Sequence, residues 1–291
     1  MSRNFLSEIL AQKREAVARM KAQRSSDRFR ERALEIRKPA VPHRFSQALI
    51  GTPRCGVRSA RHADPTLNII AEFKRRSPSA GIIRDDLSAE EVARRYERGG
   101  ACAISVLTDE AHFGGSIADL RAVRSITNLP VLRKDFIIDP IQIYEAAVAG
   151  ADAVLLIVAA LDDAVLGDLR EVAEDQLGLD ALVEVHTSIE LRRALNAGAR
   201  IIGVNNRNLQ TFQVSLETSD CLIAEAPRDR IMVSESGLQS AESFHGLHNL
   251  GFHGFLIGET LMRASDPEKA LRDFIADFEA RQVPSAAAHP S

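Results

Sequence analysis

Several features that mark other classes of protein are scarce or absent in this chain. Its 291 residues contain no tryptophan, two tyrosines and three cysteines. No apolar run reaches the roughly 18 residues needed to cross a bilayer. The N-terminus also lacks the apolar core of a secretory signal. We therefore expect a cytoplasmic protein with no membrane partner.

The cysteines and the charge balance exclude further classes. Cys55, Cys102 and Cys221 lie far apart and lack the spacing of a metal site, which predicts reduced thiols rather than a disulfide or zinc. The formal net charge of -3 lacks the clustered basic excess of a nucleic-acid-binding protein, so no nucleic-acid partner is expected. A hydrophobic content of 45% is typical of a globular protein with a full core.

The first 68 residues hold too few apolar side chains for a core of their own. Phe5 to about Lys21 has apolar residues at helical spacing, and a second, polar helical stretch covers Asp27–Ile36. Phe45–Ile50 predicts a short helix, and Gly51–Pro65 predicts a loop. We interpret residues 1–68 as an N-terminal helical extension that must pack on something larger.

From Ile69 onward, short apolar β-rich runs alternate with helical patterns. Eight such units imply parallel strands buried on both faces, and eight is the number that closes a barrel. A doubly wound open sheet is the alternative, but the first run ends in Glu-Phe-Lys without a GxGxxG turn. The sequence thus predicts an α/β fold, a (β/α)₈ TIM barrel over residues 69–282 with the N-terminal helical extension, and a flexible tail at 283–291. The runs are Ile69–Phe73, Ala101–Leu107, Val131–Arg133, Ala153–Val158, Ala181–Val185, Ile201–Val204, Ile231–Val233 and Gly254–Ile257.

Polar side chains gather where these strands end. Glu72 and Lys74 share one face of the first strand because they are two residues apart. Further ionisable or amide residues follow the third, fifth, sixth and seventh strands, whereas the strand starts carry almost nothing ionisable. The chemistry of such a barrel lies at the carboxyl ends of its strands. The later group comprises Lys134, Glu184, Asn205 and Glu235.

Glycines after the last two strands predict a phosphate site. Ser236-Gly237 follows the seventh strand, and Gly258 follows the eighth, just before a short helical run. Glycine lets backbone N–H groups approach an anion, and the loops after strands 7 and 8 are the usual phosphate position in these barrels. His186 lies on the same strand face as Glu184 and is a candidate for supporting the site from behind.

Together these motifs, in order along nearly the whole chain, resemble the indole-3-glycerol-phosphate synthase family of tryptophan biosynthesis. The resemblance implies a lyase that converts 1-(2-carboxyphenylamino)-1-deoxy-ribulose 5-phosphate to indole-3-glycerol phosphate with loss of carbon dioxide and water. It implies no metal or cofactor, and an N-terminal extension that covers the active-site mouth. The matching segments include Ile70–Lys74, Ser77–Ser79, Phe113–Ser116, Lys134–Phe136, Val183–Val185, Gly203–Leu209, Ser234–Gly237 and Phe255–Gly258.

The resemblance also implies roles for individual residues. Lys134 is the candidate acid for ring closure, and we expect partial desolvation to lower its pKa. Glu184 is the implied base, and Glu72 and Lys74 form a second acid/base and ion-pairing set. Asn205 and Glu235 orient sugar hydroxyls and lysines, and Arg207 pairs with the substrate carboxylate. The residues expected to bind the phosphate and nearby groups are Ser77, Ser236, Gly237 and Gly258. The residues expected to line the anthranilate pocket are Phe113 and Leu256.

Two alternatives remain at this stage. One is a catalytically inactive phosphosugar-binding barrel that acts in a complex. The other is an enzyme like phosphoribosylanthranilate isomerase, which uses a Cys/Asp pair; the first strand here has no cysteine. The small-molecule substrate is the expected ligand, and other tryptophan-pathway enzymes are candidate partners. Arg133 and Asp135 are interpreted as rim ion pairs, and Arg75 as part of a solvated loop.

Overall fold

The computed structural model of the chain describes residues 5–23, 25–50, 67–208 and 211–282. The loop predicted at 51–65 and the tail predicted at 283–291 lie outside the described residues. The described part is built on eight parallel strands that form a closed barrel, each hydrogen-bonded to its sequence neighbours, with the eighth beside the first. This confirms the predicted fold. The strands are β1 (Ile69–Phe73), β2 (Ala103–Leu107), β3 (Val131–Lys134), β4 (Ala153–Ile157), β5 (Asp180–Val185), β6 (Ile201–Asn205), β7 (Ile231–Glu235) and β8 (Gly254–Ile257).

Helices surround the barrel and fill the connections between strands. Several begin at a side-chain cap: Asp139, for example, accepts hydrogen bonds from the first turn of its helix and forms a capping box with Gln142. The helices are α1 (Phe5–Gln23), α2 (Ser26–Arg37), α3 (Arg44–Leu49), α4 (Ala89–Gly99), α5 (Glu110–Phe113), α6 (Ile117–Ile126), α7 (Pro140–Ala149), α8 (Asp163–Glu171), α9 (Ser188–Asn196), α10 (Glu217–Glu225), α11 (Ala241–Leu250), α12 (Glu259–Arg263) and α13 (Pro267–Gln282).

Alternation along the strands divides the core into two parts. In β1, Ile69 and Ala71 pack with the surrounding helices, whereas Ile70 belongs to a second cluster with Leu132 and Leu182. Side chains two apart share a face, so the second cluster fills the barrel interior. The same alternation sends Glu72, two residues beyond Ile70, toward the interior at the strand's carboxyl end.

The N-terminal helices contact the barrel at three places. Ile9 and Leu10 of α1 and Phe45 and Leu49 of α3 both join the interior cluster. α1 lies over the carboxyl ends of the strands, α2 packs along α7, and α3 closes the amino ends. Asn68 ties α3 to the barrel by donating to the carbonyls of Leu49 and of the residue preceding β8. Both ends of the interior core are thus covered by helices of the extension.

The expectation that strand starts carry almost nothing ionisable is wrong at two neighbouring strands. Asp152, one residue before β4, accepts from Arg44, Arg124 and the backbone N–H of Val131 at 2.9–3.1 Å. Asp180 opens β5 and accepts from the backbone N–H of Ser46 at 2.9 Å. Burial of these carboxylates is possible because the extension brings its own donors to this end of the barrel.

Candidate active site

A cavity of about 820 Å³ opens at the carboxyl ends of the strands, beneath α1. Its wall combines charged groups from the strand ends with apolar groups from the barrel interior and α1. All of the site residues predicted from the sequence line this one cavity. They are Glu72, Lys74, Ser77, Phe113, Lys134, Glu184, Asn205, Arg207, Glu235, Ser236, Gly237, Leu256 and Gly258.

Lys134 lies at the centre of the charged part of the cavity. Its Nζ is 3.3 Å from Oε2 of Glu184 and 3.0 Å from Oε2 of Glu235. The three residues come from β3, β5 and β7, and alternate strands supply one layer of inward side chains in a barrel of this kind. One ammonium group is therefore held between two buried carboxylates.

A second ion pair adjoins this group. Nζ of Lys74 lies 2.9 Å from Oε1 of Glu72, as their spacing along β1 predicts. The Tyr96 hydroxyl of α4 donates to the backbone carbonyl of Glu72 at 3.0 Å from the helical side of the strand. The two groups together place two lysines and three carboxylates in the wall of the cavity.

Two glycines make room for these carboxylates. A Cβ atom at Gly203 of β6 would lie 2.2 Å from Oε1 of Glu235, and one at Gly258 would lie 2.3 Å from Oε1 of Glu72. Both distances are far below van der Waals contact. A larger residue at Gly203 would displace the Glu235 carboxylate, and one at Gly258 would displace the Glu72 carboxylate. The two glycines therefore define the space that these acidic groups occupy.

The expectation of a lowered pKa for Lys134 is wrong. Burial alone would lower it, but the charges of Glu235 and Glu184, with Glu72 beyond them, outweigh burial and raise the pKa of Lys134 above its ordinary value. A nearby opposite charge favours the charged form of an ionisable group. Lys134 is therefore an ammonium group throughout the neutral range.

The two carboxyls beside Lys134 shift in opposite directions. Burial raises the pKa of Glu235 to about 7, with Lys134 opposing and Glu184 adding to the rise. For Glu184, burial is outweighed by the charges of Lys134 and His186 and by the Asn205 amide, so its pKa is lowered. Carboxyls whose pKa values are pushed apart can act as base and acid at one pH. Glu184 is the ionised partner.

The loop after β7, which the sequence predicts to bind phosphate, has an unusual backbone conformation that Asn206 stabilises. Ser236 has a φ of 67° and Gly237 a φ of 79°, a region that non-glycine residues seldom adopt. The Asn206 amide donates to the backbone carbonyls of Glu235 and Ser236 at 3.0 and 3.2 Å. Its oxygen accepts from the backbone N–H of Ser219 on α10. Asn206 is fully bonded and fixes the loop.

The comparisons with known proteins agree with this geometry. The family model described as indole-3-glycerol phosphate synthase matches residues 6–274. The chain belongs to the indole-3-glycerol phosphate synthase family. A curated relative of that name, from Carboxydothermus hydrogenoformans, is 44% identical over 274 residues, which is 94% of this chain and 100% of the relative.

Solved structures show the same fold at low sequence identity. Thiamine phosphate pyrophosphorylase from Pyrococcus furiosus is 18% identical, with a TM-score of 0.56 over 75% of this chain and 98% of the other. KGPDC from Streptococcus mutans is 15% identical, with a TM-score of 0.54 over 74% and 98%. These likenesses concern the barrel alone. Among the residues described here, no helix is long and apolar enough to span a bilayer.

Family membership leaves unexplained how α1 is held over the cavity, and the structure shows this directly. Phe5, Leu6 and Ile9 line the cavity. Nζ of Lys13 lies 2.7 Å from Asp135 and 2.9 Å from Asp109, which follow β3 and β2. The sequence shows only that this helix is amphipathic, and no local signal identifies its partners.

The basic residues around the site are paired more fully than the sequence suggests. Burial would raise the pKa of Asp135, but Arg133 and Lys13 outweigh it and lower that pKa to about 2. The solvated-loop interpretation of Arg75 is wrong, since its guanidinium bonds both oxygens of Asp119 at 2.7 Å and lies 4.9 Å from the Phe73 ring.

Arg207 crosses the open side of the cavity. Its guanidinium donates to Oγ of Ser79 at 3.2 Å and lies 3.7 Å from Glu259, which also pairs with Arg263 at 3.0 Å. The residue therefore connects the loop after β6 with the loop after β1 and with α12. Sequence reasoning missed Glu259 and Arg263 as its neighbours, because nothing in their spacing relates them to Arg207.

Proposed function

We propose that this chain converts 1-(2-carboxyphenylamino)-1-deoxy-ribulose 5-phosphate to indole-3-glycerol phosphate, with release of carbon dioxide and water. Its membership of the synthase family supports the reaction. The observation that carries the mechanism is the Lys134 ammonium held between two carboxylates with opposite pKa shifts. It supplies a cationic acid and an ionised base at one point of the cavity.

Ring closure needs a proton at the C2′ carbonyl oxygen while the aromatic carbon attacks C2′. We assign this proton to Lys134. Its raised pKa makes it a weak acid toward water, but the oxygen that develops during attack becomes an alkoxide, which is a stronger base than an amine. The charge of Lys134 also stabilises that oxygen before transfer. Loss of the aromatic carboxylate as carbon dioxide then restores a neutral, electron-rich ring.

Dehydration needs a base for the ring-bonded proton and an acid for the departing hydroxyl. Glu184 is assigned as the base because its pKa is lowered and it stays ionised beside Lys134. Glu72 and Lys74 form the second acid/base set at the end of β1. Asn205 and Glu235 orient the sugar hydroxyls and the lysines. Proton transfer from or to a positioned side chain contributes roughly 10²–10⁴ in rate.

The two ends of the substrate are assigned to two different sets of cavity residues. Ser77, Ser236, Gly237 and Gly258 hold the phosphate and nearby groups, and the backbone of the Ser236–Gly237 turn is already fixed in shape by Asn206. Phe113 and Leu256 line the anthranilate pocket, and Phe113 lies 6.4 Å from the ring of Phe136. Arg207 pairs with the substrate carboxylate.

We also propose that the protein acts in the cytoplasm and that other tryptophan-pathway enzymes are its candidate partners. Family membership disfavours the isomerase alternative. It also disfavours an inactive barrel, because the acid, base and phosphate-binding residues implied for the family are all present around one cavity.

The test follows indole emission when the purified full chain is incubated with the carboxyphenylamino-deoxyribulose phosphate. The chain has no tryptophan and two tyrosines, so the product signal should rise clearly above that of the protein. Growth of the indole signal is the expected result. A folded protein that binds the substrate by calorimetry without turnover would instead support the inactive barrel, and absence of binding would contradict the proposal.

A further inference from the structure

His186 lies directly behind Glu184, on the same face of the chain at the end of β5. Its Nε2 is 3.5 Å from Oε1 of Glu184. Both atoms are buried, and neither has a hydrogen-bond partner among the residues that the structure describes. Two buried polar atoms without partners, facing each other at this distance, form a contact that tightens into a hydrogen bond with a shift of a few tenths of an ångström. The roles proposed above do not use this histidine.

The position of the His186 ring is set by the start of α9. Thr187 caps this helix by accepting from the backbone N–H of Glu190 at 3.2 Å. The Glu190 carboxylate turns back and accepts from the backbone N–H of His186 at 2.7 Å. This arrangement is a variant of the capping box, in which a threonine and a glutamate three residues later satisfy N–H groups at a helix start.

The same carboxylate fixes which nitrogen of His186 can titrate. Oε2 of Glu190 lies 3.2 Å from Nδ1 of His186. An ionised carboxylate only accepts hydrogen bonds, so Nδ1 carries a proton and Nε2 is the nitrogen that gains or loses one. When Nε2 is protonated it donates toward Glu184. When it is not, its lone pair faces that carboxylate and repels it.

Three carboxylates face His186 from different elements: Glu184 on β5, Glu190 on α9 and Glu235 on β7. Burial alone would lower the pKa of His186, but the Glu190 hydrogen bond and these charges outweigh it and raise the pKa above its ordinary value. The positive charge of His186 in turn helps to lower the pKa of Glu184. The two groups therefore favour each other's charged forms.

We propose that His186, held by Glu190, is a positioning residue for Glu184: its protonated Nε2 keeps that carboxylate ionised and directed into the cavity. This inference rests on the proposed function, because it takes Glu184 as the base. It adds a pH requirement of definite direction. Loss of the His186 charge raises the pKa of Glu184, so the acid limb of the activity profile moves to higher pH.

The kinetic test compares kcat and KM from about pH 3.5 to 9 for the full-length wild type and the His186→Gln variant, because the lowered pKa of Glu184 places the acid limb below the neutral range. We expect kcat of the variant to fall roughly tenfold through misorientation of the base, with KM little changed. Its acid limb should shift upward by about half a pH unit or more. The Glu190→Gln variant should shift in the same direction by less. The partly buried His245 on α11, which does not line the cavity, provides the matched control, and His245→Gln should match the wild type.

A titration without substrate separates this inference from the proposed reaction. Nitrogen-15 histidine spectra of the wild type should contain one ring that titrates above the ordinary range of about 6.5. That pKa should fall in both Glu184→Gln and Glu190→Gln, since each substitution removes a carboxylate that faces His186. The inference would be overturned if the pKa of His186 did not fall in these two variants. It would also be overturned if the acid limb of a folded His186→Gln variant did not shift. Absence of turnover in the wild type would contradict the reaction alone. If His186→Gln does not fold, the Glu190→Gln profile and the titration decide.

Discussion

Both ends of the barrel bury carboxylates, but these groups are bonded differently at the two ends. At the amino ends of the strands, both oxygens of Asp152 accept hydrogen bonds from arginines of the extension and of α6. At the carboxyl ends, Oε2 of Glu184 and of Glu235 contacts Lys134, while the Oε1 atoms have no hydrogen-bond partner among the described residues. The oxygens of Asp152 at the amino end thus all have hydrogen-bond partners, whereas the Oε1 atoms of Glu184 and Glu235 at the carboxyl end do not. We call the carboxyl end the unsaturated end.

This difference separates stability from function within one fold. A buried charge with all its hydrogen bonds made holds the extension against the barrel, whereas a buried charge with open positions keeps capacity for a ligand. An active site lowers the stability of the fold because some of its buried polar groups have no hydrogen-bond partner until a ligand binds. The comparison predicts that substitutions at the carboxyl end alter turnover and those at the amino end alter the free energy of unfolding.

The largest effect is expected at Lys134 and Glu184. Lys134→Ala and Glu184→Gln should each lower kcat by roughly 10²–10⁴, because each removes one proton-transferring group. KM should change much less. Steady-state kinetics by indole emission measures both parameters. The exposed Lys269 on α13, paired with Asp273, provides the control, and Lys269→Ala should leave both unchanged. Near-wild-type turnover in either cavity variant would remove that residue from the mechanism.

At the opposite end, Asp152→Asn should lower the free energy of unfolding by about 2–4 kcal/mol, since it replaces the buried carboxylate that accepts from the partly buried Arg44 and Arg124 with a neutral amide. The kcat of the folded fraction should stay within twofold of wild type. Urea denaturation measures the first quantity. The matched control is Asp163→Asn on the surface, where Arg193 is the partner and less than about 1 kcal/mol is expected. A large loss of kcat in folded Asp152→Asn would contradict the prediction that the amino end affects stability alone.

The free energy of unfolding should also depend on pH through Glu235 at the unsaturated end. The pKa of Glu235 rises from 4.5 to about 7 on folding, so the folded state binds this proton more tightly and loses stability as pH rises through that window. Glu235→Gln cannot ionise. Relative to the variant, the wild type should therefore lose on the order of 1–2 kcal/mol between pH 5 and pH 8. Urea denaturation at the two pH values measures this difference, and the exposed Glu217→Gln variant should show none. A constant difference between wild type and Glu235→Gln would contradict the pKa shift.

Sequence reasoning succeeded where the signal was local. Glu72 and Lys74 are two residues apart, and Lys134 and Glu184 end strands whose order fixes their meeting point. It failed where partners are distant: Arg44 and Asp152 are 108 residues apart, and Lys13 and Asp135 are 122 apart. The direction of the Lys134 pKa shift also needed distances, because burial and charge act oppositely on it.

The smallest effect is expected at Lys13, which anchors α1 over the cavity. Lys13→Gln removes two ion pairs, to Asp135 and Asp109, without touching the reacting groups. Asp135 keeps Arg133 as a partner and glutamine still offers a hydrogen-bond donor, so we expect a loss of only about 0.5–1 kcal/mol. We expect KM to rise about two- to fivefold with kcat unchanged, because α1 then covers the substrate less firmly. Steady-state kinetics of the wild type and the variant measures both parameters. A fall in kcat comparable to that of Lys134→Ala would instead place Lys13 among the groups that act on the substrate, and the comparison between the ends would then have to include α1 in the site itself.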